Sequence, residues 1–164
     1  MKTAREVDKA LDTASKIAGK YGHMYISTEH MLLAMFQNKD FAQLIIEFGV
    51  QLDELKLDLE SHVADAFQSS HKISQVKTQA LERVFNRALT SVLFSGREKV
   101  TLLDIFVSIM SENNSHSSYF LMKYNVVKEE FMRHVKHNSR QLGLNKQQEQ
   151  YLDGIINEYC ENLN

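Results

Sequence analysis

The sequence predicts an all-α fold in which two pseudo-symmetric four-helix repeats pack into one globular domain, followed by a C-terminal linker or helix. The first observation is an internal duplication: Ile26-Ser27-Thr28-Glu29-His30-Met31-Leu32-Leu33-Ala34-Met35-Phe36 lines up with Val100-Thr101-Leu102-Leu103-Asp104-Ile105-Phe106-Val107-Ser108-Ile109-Met110. The second is that no segment alternates apolar and polar residues between hairpin signals. The third is the punctuation. There is no proline, and Gly22, Gly49, Gly96 and Asn125 stand where helices must stop, being residues that tolerate the left-handed position closing a helix.

The elements follow in order. Val7, Ala10, Leu11, Ala14, Ile17 and Ala18 recur at three- and four-residue spacing and predict an amphipathic first helix ending at Tyr21-Gly22. Ser27 or Thr28 caps the second helix, with Glu29 in the first turn, where the helix dipole favours an anion. Asp40 precedes a third helix closed by Gly49, and Leu52, Leu55, Leu59 and Val63 mark a fourth. Repeat one spans about 3–66, the polar stretch 67–76 reads as a connector, and repeat two spans about 77–138. Its helices are expected near 77–95, 102–112, 117–124 and 127–137. Ile26 and Val100 are 74 residues apart and Val50 and Val126 are 76 apart, so the match runs through the whole unit. Two copies suit one closed domain better than a solenoid, which needs more units. Residues 141–164 read as a linker, with Tyr151, Ile155, Ile156 and Tyr159 marking a further helix over 147–160.

Composition narrows the function classes. Apolar residues make up 43% and charged residues 24%, the globular range, and no apolar run is long enough to span a bilayer. The mixed first twenty residues lack a secretory core, which favours a cytoplasmic setting. The single cysteine, Cys160, excludes an internal disulfide and a cysteine-based zinc cage. A formal charge of −2, with basic residues spread among acidic ones, argues against nucleic-acid binding. No phosphate-binding loop is present, because Gly19-Lys20 is followed by tyrosine, and no serine or cysteine triad has motif context. The chain reads as non-enzymatic.

His23 and His30 can approach one another around a loop-to-helix junction, and Glu29 or Asp65 can add a carboxylate, which together is zinc-ligand chemistry. The competing reading has His23 exposed after Gly22 and His30 packed in the first turn. Arg83 and Arg87 lie one helical turn apart on one face, and the two copies as aligned set them against Asp8 and Asp12. The shared positions are scaffold, and the places where the copies differ are candidates for a docking surface.

The stretch Gly22-His23-Met24-Tyr25-Ile26-Ser27-Thr28-Glu29-His30-Met31-Leu32-Leu33-Ala34-Met35 resembles the first-repeat motif of the N-terminal domains of Clp/Hsp100 AAA+ unfoldases. Arg83-Val84-Phe85-Asn86-Arg87-Ala88, Ser95-Gly96-Arg97-Glu98-Lys99-Val100-Thr101 and Ile109-Met110-Ser111-Glu112 resemble the second, in the form found in the ClpA branch. The resemblance covers residues 1–140. It implies a non-catalytic domain that docks a ClpS-type adaptor and protein substrates for a parent hexamer working with a ClpP-type peptidase. The docking residues it implies are His23, Glu29, Thr78, Arg83 and Arg87, with Met24 where a glutamate is common. It also implies that zinc can bind at surface His and acid sites, which adds to the zinc reading of His23, Glu29, His30 and Asp65, although no cofactor is required. Tyr159-Cys160-Glu161-Asn162-Leu163-Asn164 resembles the entry to the first ATPase module. The chain is then an excised docking domain or, alternatively, a free-standing regulator that sequesters adaptors or substrates.

Overall fold

A computed structural model describes residues 2–66 and 76–141. Repeat one comprises β1 (Lys2–Thr3), α1 (Arg5–Lys20), β2 (Tyr25–Ile26), α2 (Thr28–Met35), α3 (Lys39–Glu47) and α4 (Leu52–Ala66). Repeat two comprises β3 (Val76–Lys77), α5 (Gln79–Phe94), β4 (Lys99–Val100), α6 (Leu102–Met110), α7 (His116–Lys123) and α8 (Lys128–Gln141). The predicted all-α class stands, with one addition: four two-residue strands too short to carry an alternating pattern. Val76, placed in the connector by the sequence, belongs to β3, while 67–75 and the expected helix over 147–160 lie outside the described residues.

Local chemistry accounts for the boundaries. Gly22 (φ 71°), Gly49 (φ 105°), Gly96 (φ 71°) and Asn125 (φ 62°) all adopt positive φ, so each ends the preceding helix as its residue type allows. Ser27 caps α2, accepting from the His30 N–H at 3.3 Å. The cap of α3 is Asn38 rather than Asp40: its side-chain oxygen accepts from the Phe41 N–H at 2.9 Å, and Asp40 sits in the first turn.

The strands stitch the repeats together. β1 pairs in parallel with β4, and β2 with β3, so each repeat lends its first strand to the other's second. Lys2 to Val76 and Tyr25 to Lys99 keep the 74-residue offset. The same offset sets Arg83 and Arg87 opposite Lys9 and Thr13, correcting by one position the alignment with Asp8 and Asp12.

Both repeats close on one core. Every residue of α2 is buried, as are seven residues of α6. Aromatic rings bridge the repeats, Phe41 meeting Phe106 at 5.2 Å and Phe48 meeting Phe131 at 5.3 Å, both edge to face, and Phe106 and Phe131 meet at 5.0 Å within repeat two. Phe106 and Phe131 have no exposed surface. The helices that open the two duplicated motifs are thus the shared interior, and their N-termini, with the turns before them, carry the polar groups considered next.

Candidate functional site: the paired helix N-termini and the α5 arginines

The turn from α1 into α2 carries His23, Glu29 and His30, and β2–β3 pairing brings the start of α5 alongside it. Met24 carbonyl accepts from the Val76 N–H at 3.0 Å, and Ile26 carbonyl accepts from the Thr78 N–H at 2.9 Å. Two groups of candidates far apart in sequence therefore meet along the backbone. Their side chains meet very different fates.

His23 is buried at 2% exposure, which overturns the expectation of an exposed ring. His30, fully buried, occupies the third helical position, where its Nδ1 accepts from the Ser27 N–H at 2.9 Å. That backbone donor is obligatory, so the neutral ring carries its proton on Nε2 and donates to His23 Nδ1 at 3.0 Å. Burial first, and the neighbouring His23 second, push the His30 pKa down to about 4. Burial also lowers that of His23. The pair is a neutral cap at neutral pH.

Glu29, a docking residue by the resemblance, is also buried, at 5%, so its carboxylate does not lie open on the surface. Thr28 Oγ1 donates to its Oε2 at 3.2 Å, and His62 Nε2 of α4 lies 4.0 Å from its Oε1. Asp65 is exposed on α4 and interacts with His62. The four residues named for zinc are thus divided between the His23/His30 pair and the His62 neighbourhood, and among the described residues no three His, Cys, Asp or Glu converge on a cation position.

Thr78 is the cap of α5, accepting from the Leu81 N–H at 3.1 Å. Arg83 and Arg87 share Glu112 at the end of α6. Arg83 Nε and Nη2 donate to Oε1 at 2.9 and 2.5 Å, and Arg87 Nη2 donates to Oε2 at 2.8 Å. Arg87 Nη1 also donates to the Ser108 carbonyl at 2.8 Å. Burial pushes the Glu112 carboxyl up, but hydrogen bonds and charge from both arginines outweigh it and hold it below the usual carboxylate range. The Arg83 side chain keeps 57% of its surface in solvent and Arg87 34%, against 7% for Glu112. Two oriented guanidinium groups therefore face outward from one buried anion, an arrangement suited to recognising carboxylates.

Sequence reasoning passed over Glu112 although it ends the Ile109-Met110-Ser111-Glu112 string, because its partners lie 25 and 29 positions upstream. It also passed over the Arg97–Asp104 pair. Arg97 Nη1 and Nη2 donate to the two Asp104 carboxylate oxygens at 3.0 and 2.8 Å, beneath the N-terminus of α6.

Comparison with known proteins agrees with this architecture. The family model described as "Clp repeat (R) N-terminal domain" matches residues 2–124. A ClpA homolog protein of Fuscovulum blasticum is 29% identical over 135 residues, which cover 80% of this chain and only 17% of that protein's length. Among solved structures, a chain from work on a malarial protein secretion system has a TM-score of 0.73 at 16% identity, covering 84% of this chain and 95% of its own. The Hsp104 N-terminal domain of Candida albicans has a TM-score of 0.68 at 10% identity, over 99% of this chain and 92% of its own. The ClpV1 N-terminal domain of enteroaggregative E. coli scores 0.67 at 17%, over 80% and 82%. At such identities the structural likeness speaks for the fold alone. No described helix is long and apolar enough to cross a membrane. With the family model covering most of its length, the chain belongs to the Clp repeat (R) N-terminal domain family.

Proposed function

We propose that this domain is the adaptor- and substrate-docking module of a ClpA-like ATP-driven unfoldase. In this reading it binds a ClpS-type adaptor, works in the cytoplasm and delivers proteins to the parent hexamer and its ClpP-type peptidase. It is itself a non-catalytic protein-interaction domain. The likeness to the ClpA homolog protein supports the branch, and one observation carries the docking site: Arg83 and Arg87, held on the buried Glu112 carboxylate, keep 57% and 34% of their side-chain surface in solvent one turn apart on α5. Because Glu112 orients both guanidinium groups before a partner arrives, less side-chain freedom is lost on binding. Beneath that surface His23 supports the α2 cap through His30, Glu29 faces His62 of α4, and Thr78 caps α5 while its N–H donates to the Ile26 carbonyl, which ties the α5 N-terminus to the strand before α2. Attachment to the hexamer would raise the local concentration of cargo at the motor.

Calorimetric titration of a ClpS-type adaptor tests the reading. Binding is expected, weakened at least tenfold by Arg83→Glu, as anticipated for reversing a charge in an electrostatically matched contact. An adaptor that fails to bind the folded chain rules out this adaptor class.

A further inference from the structure

The seam between α4 of repeat one and α7 of repeat two carries features that adaptor docking does not use. Asp58, Ser61, His62 and Asp65 of α4 face Tyr119, Phe120 and Lys123 of α7 across an open groove. The Tyr119 side chain is largely in solvent, at 62% residue exposure, and its ring meets Phe120 edge to face at 5.3 Å. Asp58 is neutralised, accepting from Lys123 Nζ at 2.7 Å and from the Tyr124 hydroxyl at 2.6 Å. Asp65 pairs with no lysine or arginine among the described residues. Below the groove, the buried Glu29 carboxylate has His62 as its nearest basic group, and the His62 ring lies 4.2 Å from that of His116. The net field of the groove at neutral pH is therefore negative.

The second seam, between α3 and α8, provides an internal control. At the 76-residue offset that matches Ile45 with Leu121 and Leu55 with Phe131 in the core, Tyr119 becomes Gln43, Lys123 becomes Glu47, Asp58 becomes His134 and His62 becomes Asn138. The scaffold residues are retained there and the aromatic and acidic ones are not. Aromatic rings beside an uncompensated carboxylate match one kind of side chain, a cation with an apolar stem, through ring faces and charge together.

We propose that the α4–α7 groove is a second docking surface, which receives a basic, apolar-rich protein segment by laying an arginine or lysine over Tyr119 and Phe120 against Asp65. Its occupancy depends on pH. The groups facing His62 are Glu29 from α2, Asp65 on α4, and His116 and Phe120 from α7. Protonating His62 cancels negative charge in the groove and weakens the hold on a cation.

The test uses the whole chain, a 12-residue peptide alternating arginine with leucine, and the same peptide with glutamate for arginine, followed by anisotropy and amide chemical-shift mapping. The basic peptide is expected to shift resonances of α4 and α7, to bind more tightly at pH 7.5 than at pH 5.5, and to lose about fivefold in affinity in Asp65→Asn and in Tyr119→Ser. Arg83→Glu should leave this binding intact, which separates it from adaptor docking. Equal binding of the acidic peptide, shifts confined to other faces, or unchanged affinity in both variants would overturn the proposal. So would a concentration-dependent dimer that both variants abolish, because a second copy of the chain would then be the occupant.

Discussion

The two helix N-termini at the centre of the domain solve one problem with different chemistry. Under α2, His30 takes the Ser27 N–H and leans on His23, a neutral pair. Under α6, 74 residues later, Asp104 takes the Thr101 N–H at 2.8 Å and is gripped by Arg97, an ion pair in which Arg97 and Asp104 keep 9% and 0% of their side-chain surface. Position for position, His23 matches Arg97, Ser27 matches Thr101 and His30 matches Asp104. Both satisfy the orphan donors of a buried helix end. The difference is what each costs to break and how each responds to protons.

The largest expected effect breaks the charged cap. Arg97→Ala leaves Asp104 buried without its cation and should cost about 3–5 kcal/mol in urea unfolding. The matching His23→Ala leaves only a neutral ring short of a partner, a loss of about 1–3 kcal/mol. Equal losses would mean that the two caps are energetically alike.

Acid separates the two more sharply. The folded pKa of His30, about 4, lies below the unfolded value of 6.5, so between those values the unfolded chain binds more protons. The stability is complete above pH 6.5 and is lost as pH falls toward 4, on the order of 3 kcal/mol in all. Amide exchange at pH 5 should rise first at the start of α2 while the start of α6 stays protected. His30→Gln should flatten the pH dependence of stability in that window.

Glu112→Gln tests the clamp that has no counterpart in repeat one. It removes charge from two hydrogen-bonded pairs, and with Arg83 more than half exposed the expected loss is about 1–2 kcal/mol. Adaptor affinity should fall as well if pre-orientation of Arg83 and Arg87 matters. The smallest effect concerns the long first helices: Thr78 caps α5, whereas Ala4 stands at the start of α1 with no side-chain cap. Thr78→Ala should cost about 1 kcal/mol and Ala4→Ser should gain about half of that, both read from thermal midpoints.

Much of the fold was legible in the chain. The duplicated apolar motifs marked α2 and α6 because an all-round apolar helix has to be interior. Gly22, Gly49, Gly96 and Asn125 marked the stops because few other residues accept their backbone angles. The parallel strands were not legible, since two residues carry no period and their partners lie in the other repeat. The candidate site was only half legible. The approach of His23 to His30 was foreseen, but as metal chemistry, whereas the fold uses it as a buried cap. Arg83 and Arg87 were named without the Glu112 that orients them.

Sequence alone thus determined the helices, their ends and the two-fold plan, because these follow from short-range spacing and backbone preference. Tertiary structure decided which polar side chains stay in water. Glu29 and Arg83 look equally exposed along the chain, yet packing of α4 and α7 buries the carboxylate while the end of α6 turns the arginine outward on Glu112. Burial depends on which distant elements come to lie over a residue, and that is a property of the packed molecule rather than of any stretch of its sequence.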